Sequence, residues 1–351
     1  MKKIIVSLLL MSWYAGALAQ DPALKEIQNQ SQRNIKRDTI TSSWRKGGVF
    51  SLNIGQGGSR NWAAGAEKFS FSIASYMSLF ANRQMGKYNW DNTLDVGYAL
   101  VNTTSLGSRK TDDKIDLYTK LSRDLTTTTS FGLVGNLRTQ LTDGYDYNYL
   151  KKGLRRRTSG LFAPAYAIIA PGIDWHPTPY FSIFVSPVSA RFVIVTNENK
   201  SYYFQGGVIP DSVRTPGGPQ FEVPLAVLYG VDPARKVRNE IGGFISANFN
   251  KDIFKNVTYK SRLDLFSNYR KTYRFTPIGP DQLRIDEVGA KPKNIDVFWS
   301  NLIAMKINKF LNVTYNFDLI YDDDVRQFGD KGTSAAAQMR TMLGIGFSLK
   351  F

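Results

Sequence analysis

The sequence ends in SAAAQMRTMLGIGFSLKF (residues 334–351), and from Met339 onward its residues alternate in character. One set is mostly apolar: Met339, Thr341, Leu343, Ile345, Phe347, Leu349 and Phe351. The other set is mostly small, polar or charged: Arg340, Met342, Gly344, Gly346, Ser348 and Lys350. Successive side chains of an extended strand point to opposite faces. The stretch therefore predicts an amphipathic β-strand whose apolar face ends on an aromatic residue.

The same alternation recurs along the chain and predicts twelve strands in total. They cover residues 49–56, 68–82, 87–101, 114–123, 130–142, 165–175, 181–195, 240–250, 257–269, 294–307, 311–321 and the closing stretch. Strands 165–175 and 181–195 contain prolines, which remove a donor from a sheet ladder. Runs of about 10 residues suit a tilted strand that crosses a membrane. The alternation alone would equally fit the core of a soluble sandwich, although sandwich strands are shorter.

The connections distinguish a membrane barrel from a sandwich. Every second connection is short: 82–86, 124–129, 176–180, 251–256 and 308–310. The others are longer: 57–67, 102–113, 143–164, 196–239, 270–293 and 322–333. This layout is typical of outer-membrane barrels. We therefore predict an all-β fold: a single transmembrane antiparallel β-barrel of about twelve strands, with short periplasmic turns and long external loops.

The start of the chain has the features of a secretory signal peptide. Lys2 and Lys3 precede an apolar run over residues 4–11, and Ala17-Leu18-Ala19 fits a signal-peptidase site. We predict a cleaved signal peptide at 1–19, a flexible periplasmic arm at 20–43 and an outer-membrane barrel at 44–351. A plug inside the lumen is the alternative for the arm. No later run reaches about 18 consecutive apolar residues, which a transmembrane helix would need.

The chain is basic, with 45 Lys and Arg against 29 Asp and Glu and a formal net charge of +16. An exported protein seldom meets nucleic acid, so we expect no nucleic-acid partner. Outer-membrane lipid and lipopolysaccharide, anionic solutes or an acidic protein fit the charge better. The chain has no cysteine, which excludes disulfides and thiolate metal sites.

Unlike charges lie on the polar faces of the predicted strands, where a closed barrel would hide them from lipid. The residues predicted to form this charge lining of the lumen are Asp95, Lys120, Arg138, Lys260, Arg262, Asp264 and Arg340. Barrels of eight strands are filled by side chains, whereas those of about 16 strands hold open channels. Twelve strands therefore predict a narrow or plugged pore.

The closing strand resembles the C-terminal strand of bacterial outer-membrane barrels, which the barrel-assembly machinery recognises. The resemblance implies that Phe347, Leu349 and Phe351 form a C-terminal insertion signal. A soluble edge strand that happens to end in phenylalanine is the alternative.

Several short motifs also resemble a barrel family of the Bacteroidota that is catalogued as a domain of unknown function. They are WRKGG (44–48), SLNIGQ (51–56), Asn61-Trp62, YNWDN (88–92), DKIDL (113–117), FAPAY (162–166), Ser186-Pro187 and GIGFSLKF (344–351). The resemblance covers roughly residues 44–351. It implies an outer-membrane location and supplies neither a catalytic residue nor a cofactor.

Few residues could carry chemistry. The single histidine, His176, falls in a predicted periplasmic turn, whereas outer-membrane phospholipases and proteases use histidine at the outer side. A Ser-His-Asp arrangement is therefore not expected, and we predict that the protein is not an enzyme. Asp322-Asp323-Asp324, with Asp330 nearby, can supply oxygen ligands for calcium. Its spacing does not fit an EF-hand loop, so we expect a solvated loop, no metal and no cofactor.

Two external loops have distinctive compositions. KKGLRRR (151–157) predicts an exposed basic loop, and lipopolysaccharide phosphate is the partner that arginine would suit. Residues 196–239 form one long segment rich in glycine and proline, which could fold over the mouth of the barrel as a lid. The sequence as a whole predicts a porin-like narrow channel or binding barrel for small solutes. The alternative is a closed scaffold barrel that binds an envelope protein through its loops or N-terminal arm.

Overall fold

The computed structural model describes residues 44–59, 68–147, 149–151, 153–196, 202–214, 216–280, 282–308, 311–325, 328 and 334–350. The predicted signal peptide and the 20–43 arm lie outside these residues. The strands are β1 (Trp44–Gly58), β2 (Phe69–Met85), β3 (Tyr88–Thr103), β4 (Gly107–Asp124), β5 (Thr129–Thr139), β6 (Gly144–Asp146), β7 (Arg156–Ser159), β8 (Ala165–Thr178), β9 (Phe181–Ile194), β10 (Val237–Phe254), β11 (Val257–Asn268), β12 (Thr272–Gly279), β13 (Gln282–Gly289), β14 (Ile295–Lys306), β15 (Leu311–Tyr321) and β16 (Gln338–Lys350). A single helical turn, α1, spans Leu225–Leu228.

Twelve of these strands form one antiparallel sheet that closes into a barrel, in the order β1-β2-β3-β4-β5-β8-β9-β10-β11-β14-β15-β16. The barrel closes where β1 meets β16, through four residue pairs from Val49↔Lys350 to Leu52↔Phe347. This seam is much shorter than the β1–β2 ladder, which runs from Trp44↔Arg83 to Gly58↔Phe69. The remaining strands pair as two separate hairpins, β6–β7 and β12–β13. The prediction of an all-β antiparallel architecture is confirmed.

The two faces of the sheet are the reverse of those in a soluble domain. On β4, Asp116 and Lys120 are 5% and 1% exposed, whereas Leu117 and Leu121 are 42% and 45% exposed. Charged residues are almost never fully buried in soluble proteins unless they are paired. The polar face of the sheet therefore points into the barrel, and the apolar face points outward. Outward apolar side chains on other strands include Phe131, Leu133, Ile169, Ile173, Trp175, Val185, Ile241, Ile245, Trp299, Leu343 and Ile345.

Prolines in β8 coincide with irregular pairing. The β8–β9 ladder shifts register between Ile169 and Ile173, and again between Trp175 and Thr178. These shifts flank Pro171 and Pro177, because a bulge accommodates a residue that lacks an N–H donor. The strand therefore continues past the predicted end at 175. His176 lies within β8 and is 7% exposed, so its predicted place in a turn is wrong.

The connections alternate between the two ends of the barrel. At the end where the predicted short turns lie, called the lower end here, the strands are joined by residues 86–87, 125–128, 179–180, 255–256 and 307–310. At the upper end, the predicted loop 102–113 is wrong, because β3 and β4 extend into it and only residues 104–106 connect them. Gly107, with a φ of 67°, permits this tight turn. The predicted loops 143–164 and 270–293 contain the two hairpins.

The described part of the long connection at residues 195–236, which we call the lid, packs onto the upper end. Leu225 and Ala226 of α1 are fully buried against Val193 and Val195. Inside the lid, the Glu222 carboxylate is 2% exposed and accepts backbone N–H groups of three residues. The donors are Tyr203 at 2.6 Å, Phe204 at 2.7 Å and Gly206 at 3.1 Å. A buried carboxylate thus organises this segment, as such groups are costly unless fully hydrogen-bonded.

No helix in the described part of the chain is long and apolar enough to cross a membrane.

Candidate solute site in the barrel interior

An apolar cluster fills one side of the interior. Its buried members, on β5 and β8 to β11, are Val134, Ala170, Phe184, Phe244 and Phe266. Glycine makes room for the rings: a Cβ on Gly172 would lie 2.8 Å from Cζ of Phe184, and one on Gly242 would lie 3.0 Å from Cζ of Phe266. The rings therefore occupy part of the interior on this side of the barrel.

Ion pairs cross the barrel near its middle, and a phenylalanine ring packs against them. We call this group of five side chains the central partition: Asp116, Arg138, Arg262, Asp264 and Phe298. Arg138 of β5 lies 3.1 Å from Asp116 and 2.5 Å from Asp264 of β11. Arg262 lies 2.9 Å from Asp264, and the Arg138 guanidinium is 3.7 Å from the ring centre of Phe298. Two arginines and two aspartates balance in charge. The side chains of β5 and β11 can meet only through the lumen, because these strands are not neighbours in the sheet.

Below the partition lies a cavity of about 260 Å³, which we call the lower cavity. Hydroxyl and amide side chains dominate its uncharged wall: Tyr76, Ser78, Asn82, Thr93, Ser182, Asn248, Ser300 and Asn316. Asp95, Lys114 and Lys260 also face it. Such a wall offers donors and acceptors in several directions, which suits a small polar molecule.

Above the partition lies a cavity of about 400 Å³, which we call the upper cavity. Its wall is more apolar and includes Pro164, Tyr166, Ile168, Phe244, Phe266 and Ile320. On one side, Arg191 pairs with Glu240 and lies 2.5 Å from Asp296 and 3.9 Å from Asp322. The lid lies over this end. The interior residue Tyr166 packs against the buried apolar cluster that contains the lid residues Leu225 and Ala226.

Carboxylates in the loop after β15 pair with buried arginines beside the upper cavity. Asp322 is 5% exposed, and Asp324 lies 3.2 Å from Arg238. The expectation of a solvated loop is therefore wrong for these residues, because buried arginines pair with them. Burial raises the pKa of Asp324 to about 6, and Asp322 and Glu240 add to this effect while Arg238 opposes it. Within the described residues, no group of three acidic or histidine side chains has the geometry of a metal site.

The predicted basic loop is also buried in part. Arg156 and Arg157 are 5% and 4% exposed. Arg157 lies 2.8 Å from Asp143, and Arg156 donates to the carbonyl oxygen of Val223 in the lid. The prediction of an exposed basic patch is wrong for these two residues, because both guanidinium groups are used inside the protein.

All seven residues predicted for the lumen lie on the interior face. Arg138, Arg262 and Asp264 belong to the central partition, and Asp95 and Lys260 line the lower cavity. Lys120 lies 3.0 Å from Asp174, with both side chains 1% exposed. Arg340 pairs with Asp112 and Asp318 and borders both cavities.

The interior also contains residues that the sequence analysis missed. They are Arg191 with the carboxylates around it, and the inward aromatic residues Phe184, Phe244, Phe266 and Phe298. A signal for the last three was present, because each is an aromatic residue on the polar face of its predicted strand.

Of the predicted insertion signal, Phe347 and Leu349 pair through their backbones with Leu52 and Phe50 of β1. Phe351 lies outside the described residues.

Several solved structures resemble the chain at low sequence identity. The NanC porin is 10% identical with a TM-score of 0.35, covering 86% of this chain and 100% of that one. The translocator domain of the autotransporter NalP from Neisseria meningitidis is 8% identical with a TM-score of 0.29, covering 92% and 94%. The toluene transporter TodX from Pseudomonas putida is 8% identical with a TM-score of 0.27, covering 88% and 86%. These neighbours are outer-membrane β-barrels.

No curated protein matches the sequence. The resemblance to a family of unknown function is confirmed over part of the chain: residues 54–145 match the family model described as protein of unknown function (DUF3078).

Proposed function

We propose that this protein is an outer-membrane β-barrel that binds small polar solutes in its interior and passes them as a narrow channel. The observation that carries the proposal is the inverted sheet, with leucines outside and ion-paired aspartates, lysines and arginines inside. A surrounding of lipid favours this arrangement, because every charge must be kept from the hydrocarbon. Outer-membrane lipid and lipopolysaccharide are then its surroundings, and the barrel-assembly machinery inserts it. The proposal includes no catalytic step.

Aromatic residues on the outer surface support this placement. Trp44 and Trp90 lie near the lower end with ring centres 5.1 Å apart, and both are more than a third exposed. Trp299 and Phe317 lie on β14 and β15 with ring centres 5.7 Å apart. Exposed tryptophan and tyrosine are enriched where a barrel meets the two membrane interfaces.

Passage through the barrel requires the central partition to rearrange. Phe298 borders both cavities, and Arg138 and Lys114 lie over its ring at 3.7 Å and 5.4 Å. Removing the ring would join the two cavities. It would also leave the Arg138 guanidinium held only by its carboxylates.

Single-channel recording in a planar bilayer tests the proposal. We expect small, ion-selective steps from the wild type and larger steps from Phe298→Ala. Phe317→Ala is the matched control, because it removes a ring from the outer face of the neighbouring strand. Both variants must show the circular-dichroism spectrum of a β-barrel. Silence from the wild type and from Phe298→Ala alike would contradict a channel.

A scaffold function is the second candidate, and one observation favours it. The external hairpin β12–β13 carries Tyr273, Ile278 and Ile285, which are 49%, 54% and 54% exposed. Exposed apolar side chains beyond the membrane are typical of surfaces that bind other proteins. Replacing residues 272–289 with a short glycine-serine turn should then remove an envelope protein that co-purifies with the wild type. An unchanged set of co-purifying proteins would reject this function.

A further inference from the structure

Two opposite charges face each other across the lower cavity without meeting. Lys260 projects from β11 and Asp95 from β3, which are six strands apart in either direction around the ring of twelve. No ion pair within 4 Å joins them, although Asp95 is the charge that acts on Lys260. Among the described residues, the ammonium group of Lys260 has neither a hydrogen bond nor an ion pair, and the buried Oδ1 of Asp95 accepts no hydrogen bond.

Most of the other charges around this cavity are already engaged. Lys120 is held by Asp174, Arg262 by Asp264, and Arg340 by Asp112 and Asp318. Lys114 lies over the Phe298 ring and interacts electrostatically with the carboxylates of Asp116 and Asp318. Among the described interior charges, the Lys260 ammonium group thus has no direct partner, and Asp95, which shares a side-chain hydrogen bond with Tyr76, keeps its buried Oδ1 free. A charged group that is kept from bulk water without a partner is costly, so it is usually explained by a ligand or by water.

The rest of the wall indicates what kind of ligand would fit. Hydroxyl and amide groups from several strands converge on the cavity, including Ser78, Thr93, Asn248, Ser300 and Asn316. These groups both donate and accept, as hydroxyl groups of a ligand would require. A volume of about 260 Å³ corresponds to roughly nine water molecules at about 30 Å³ each. The space therefore suits a small molecule with several hydroxyl groups.

We propose that the lower cavity binds small hydroxylated carboxylates. The ligand's carboxylate accepts hydrogen bonds from the Lys260 ammonium group, and one ligand hydroxyl donates to Oδ1 of Asp95. Further hydroxyls meet the amide and hydroxyl side chains of the wall. This inference rests on the proposed function, because it specifies the solute class for the same interior.

Isothermal titration calorimetry on the purified full-length protein in detergent tests the inference with three compounds, the sodium salts of gluconate and hexanoate and the sugar glucose. Gluconate has both a carboxylate and hydroxyls, glucose lacks the carboxylate, and hexanoate lacks the hydroxyls. We expect gluconate to bind and the other two to bind at least about tenfold more weakly, because each leaves a polar group of the site unpaired.

Three variants locate the site. Lys260→Met should weaken gluconate binding about tenfold or more, since it removes a charge-assisted hydrogen bond. Asp95→Asn should weaken it less, because the amide oxygen still accepts. Lys87→Met is the matched control, as it removes the same charge from the exposed turn between β2 and β3 and should leave binding unchanged.

The inference is overturned if the folded wild type does not bind gluconate, if glucose or hexanoate binds as tightly, or if Lys260→Met binds as the wild type does. Conductance of the same preparations separates this result from the proposed function. A barrel that conducts but ignores gluconate keeps the channel and loses this ligand. A barrel that binds gluconate through Lys260 but never conducts keeps the ligand and loses the channel.

Discussion

Replacing Lys120 with methionine would leave the carboxylate of Asp174 inside the barrel without its ammonium partner. Nζ of Lys120 lies 3.0 Å from Oδ2 of Asp174, and each side chain is 1% exposed. Breaking a buried ion pair by removing one partner costs about 3–5 kcal/mol, because the remaining charge is uncompensated. Nδ1 of His176 lies 3.9 Å from the same oxygen and can share the charge when protonated. We therefore expect a loss near the lower limit, about 3 kcal/mol of unfolding free energy.

Urea titration in lipid vesicles, followed by the fluorescence of the five tryptophans that follow the predicted signal peptide, measures this loss. Lys87→Met is the control, because it removes the same charge from an exposed turn and should change stability by less than about 0.5 kcal/mol. The double variant Lys120→Met/Asp174→Asn should recover most of the lost stability, since no uncompensated charge remains.

Two results would refute this reasoning. Equal stability of Lys120→Met and Lys87→Met would mean that the pair is not isolated from water. A double variant no more stable than Lys120→Met would show that the loss comes from packing and not from the charge left on Asp174.

Three further predictions concern the upper end and the seam between β1 and β16. Glu222→Gln loses an acceptor for the backbone N–H groups that the carboxylate binds, so we expect about 1–3 kcal/mol of lost lid stability, seen as faster proteolysis of the lid than in the wild type. Because the pKa of Asp324 is raised to about 6 from an unfolded value near 3.8, its contribution to stability is present below pH 4 and is lost as the pH rises through 6. The hydrogen-exchange protection factors of this loop, which are taken relative to the intrinsic exchange rate at each pH, should therefore fall between pH 4 and 7, and Asp324→Asn should flatten that dependence. The ladder between β1 and β16 stops at Leu52↔Phe347, whereas Ile54 and Ile73 face each other in the β1–β2 ladder. A pair of cysteines introduced at Ile54 and Ile345 should therefore form a disulfide more slowly than a pair introduced at Ile54 and Ile73. Equal rates would mean that the upper part of the seam is closed.

The strands could be predicted from the sequence because side-chain alternation is a local property. Strand β15 was predicted at its observed bounds, and the prolines of β8 and β9 did not prevent a correct prediction of these strands, since bulges accommodate them. The loops were predicted less well. A long polar run reads as a loop whether or not it pairs with itself, which is why the hairpins β6–β7 and β12–β13 and the upward extension of β3 and β4 were missed.

The interior shows a similar division. The sequence placed Arg138 and Asp264 on the polar faces of their strands. It did not indicate that they meet, because they are 126 positions apart in the chain. The inward aromatic residues Phe244 and Phe298 had a visible signal, an apolar residue on a polar face, but alternation alone does not say whether such a residue fills the lumen or is an exception to the pattern.

Sequence alone determined which side chains share a face, because a strand has a period of two residues and each neighbour must alternate. It also determined the antiparallel order, because short turns can join only adjacent antiparallel strands. The tertiary structure alone decided which charges neutralise one another, that the rings of Phe244 and Phe266 border the upper cavity, and that the Lys260 ammonium group and Oδ1 of Asp95 face the lower cavity without a partner among the described residues. These features depend on closing the sheet, since closure brings together strands that are distant along the chain, and no local pattern in the sequence specifies those distances.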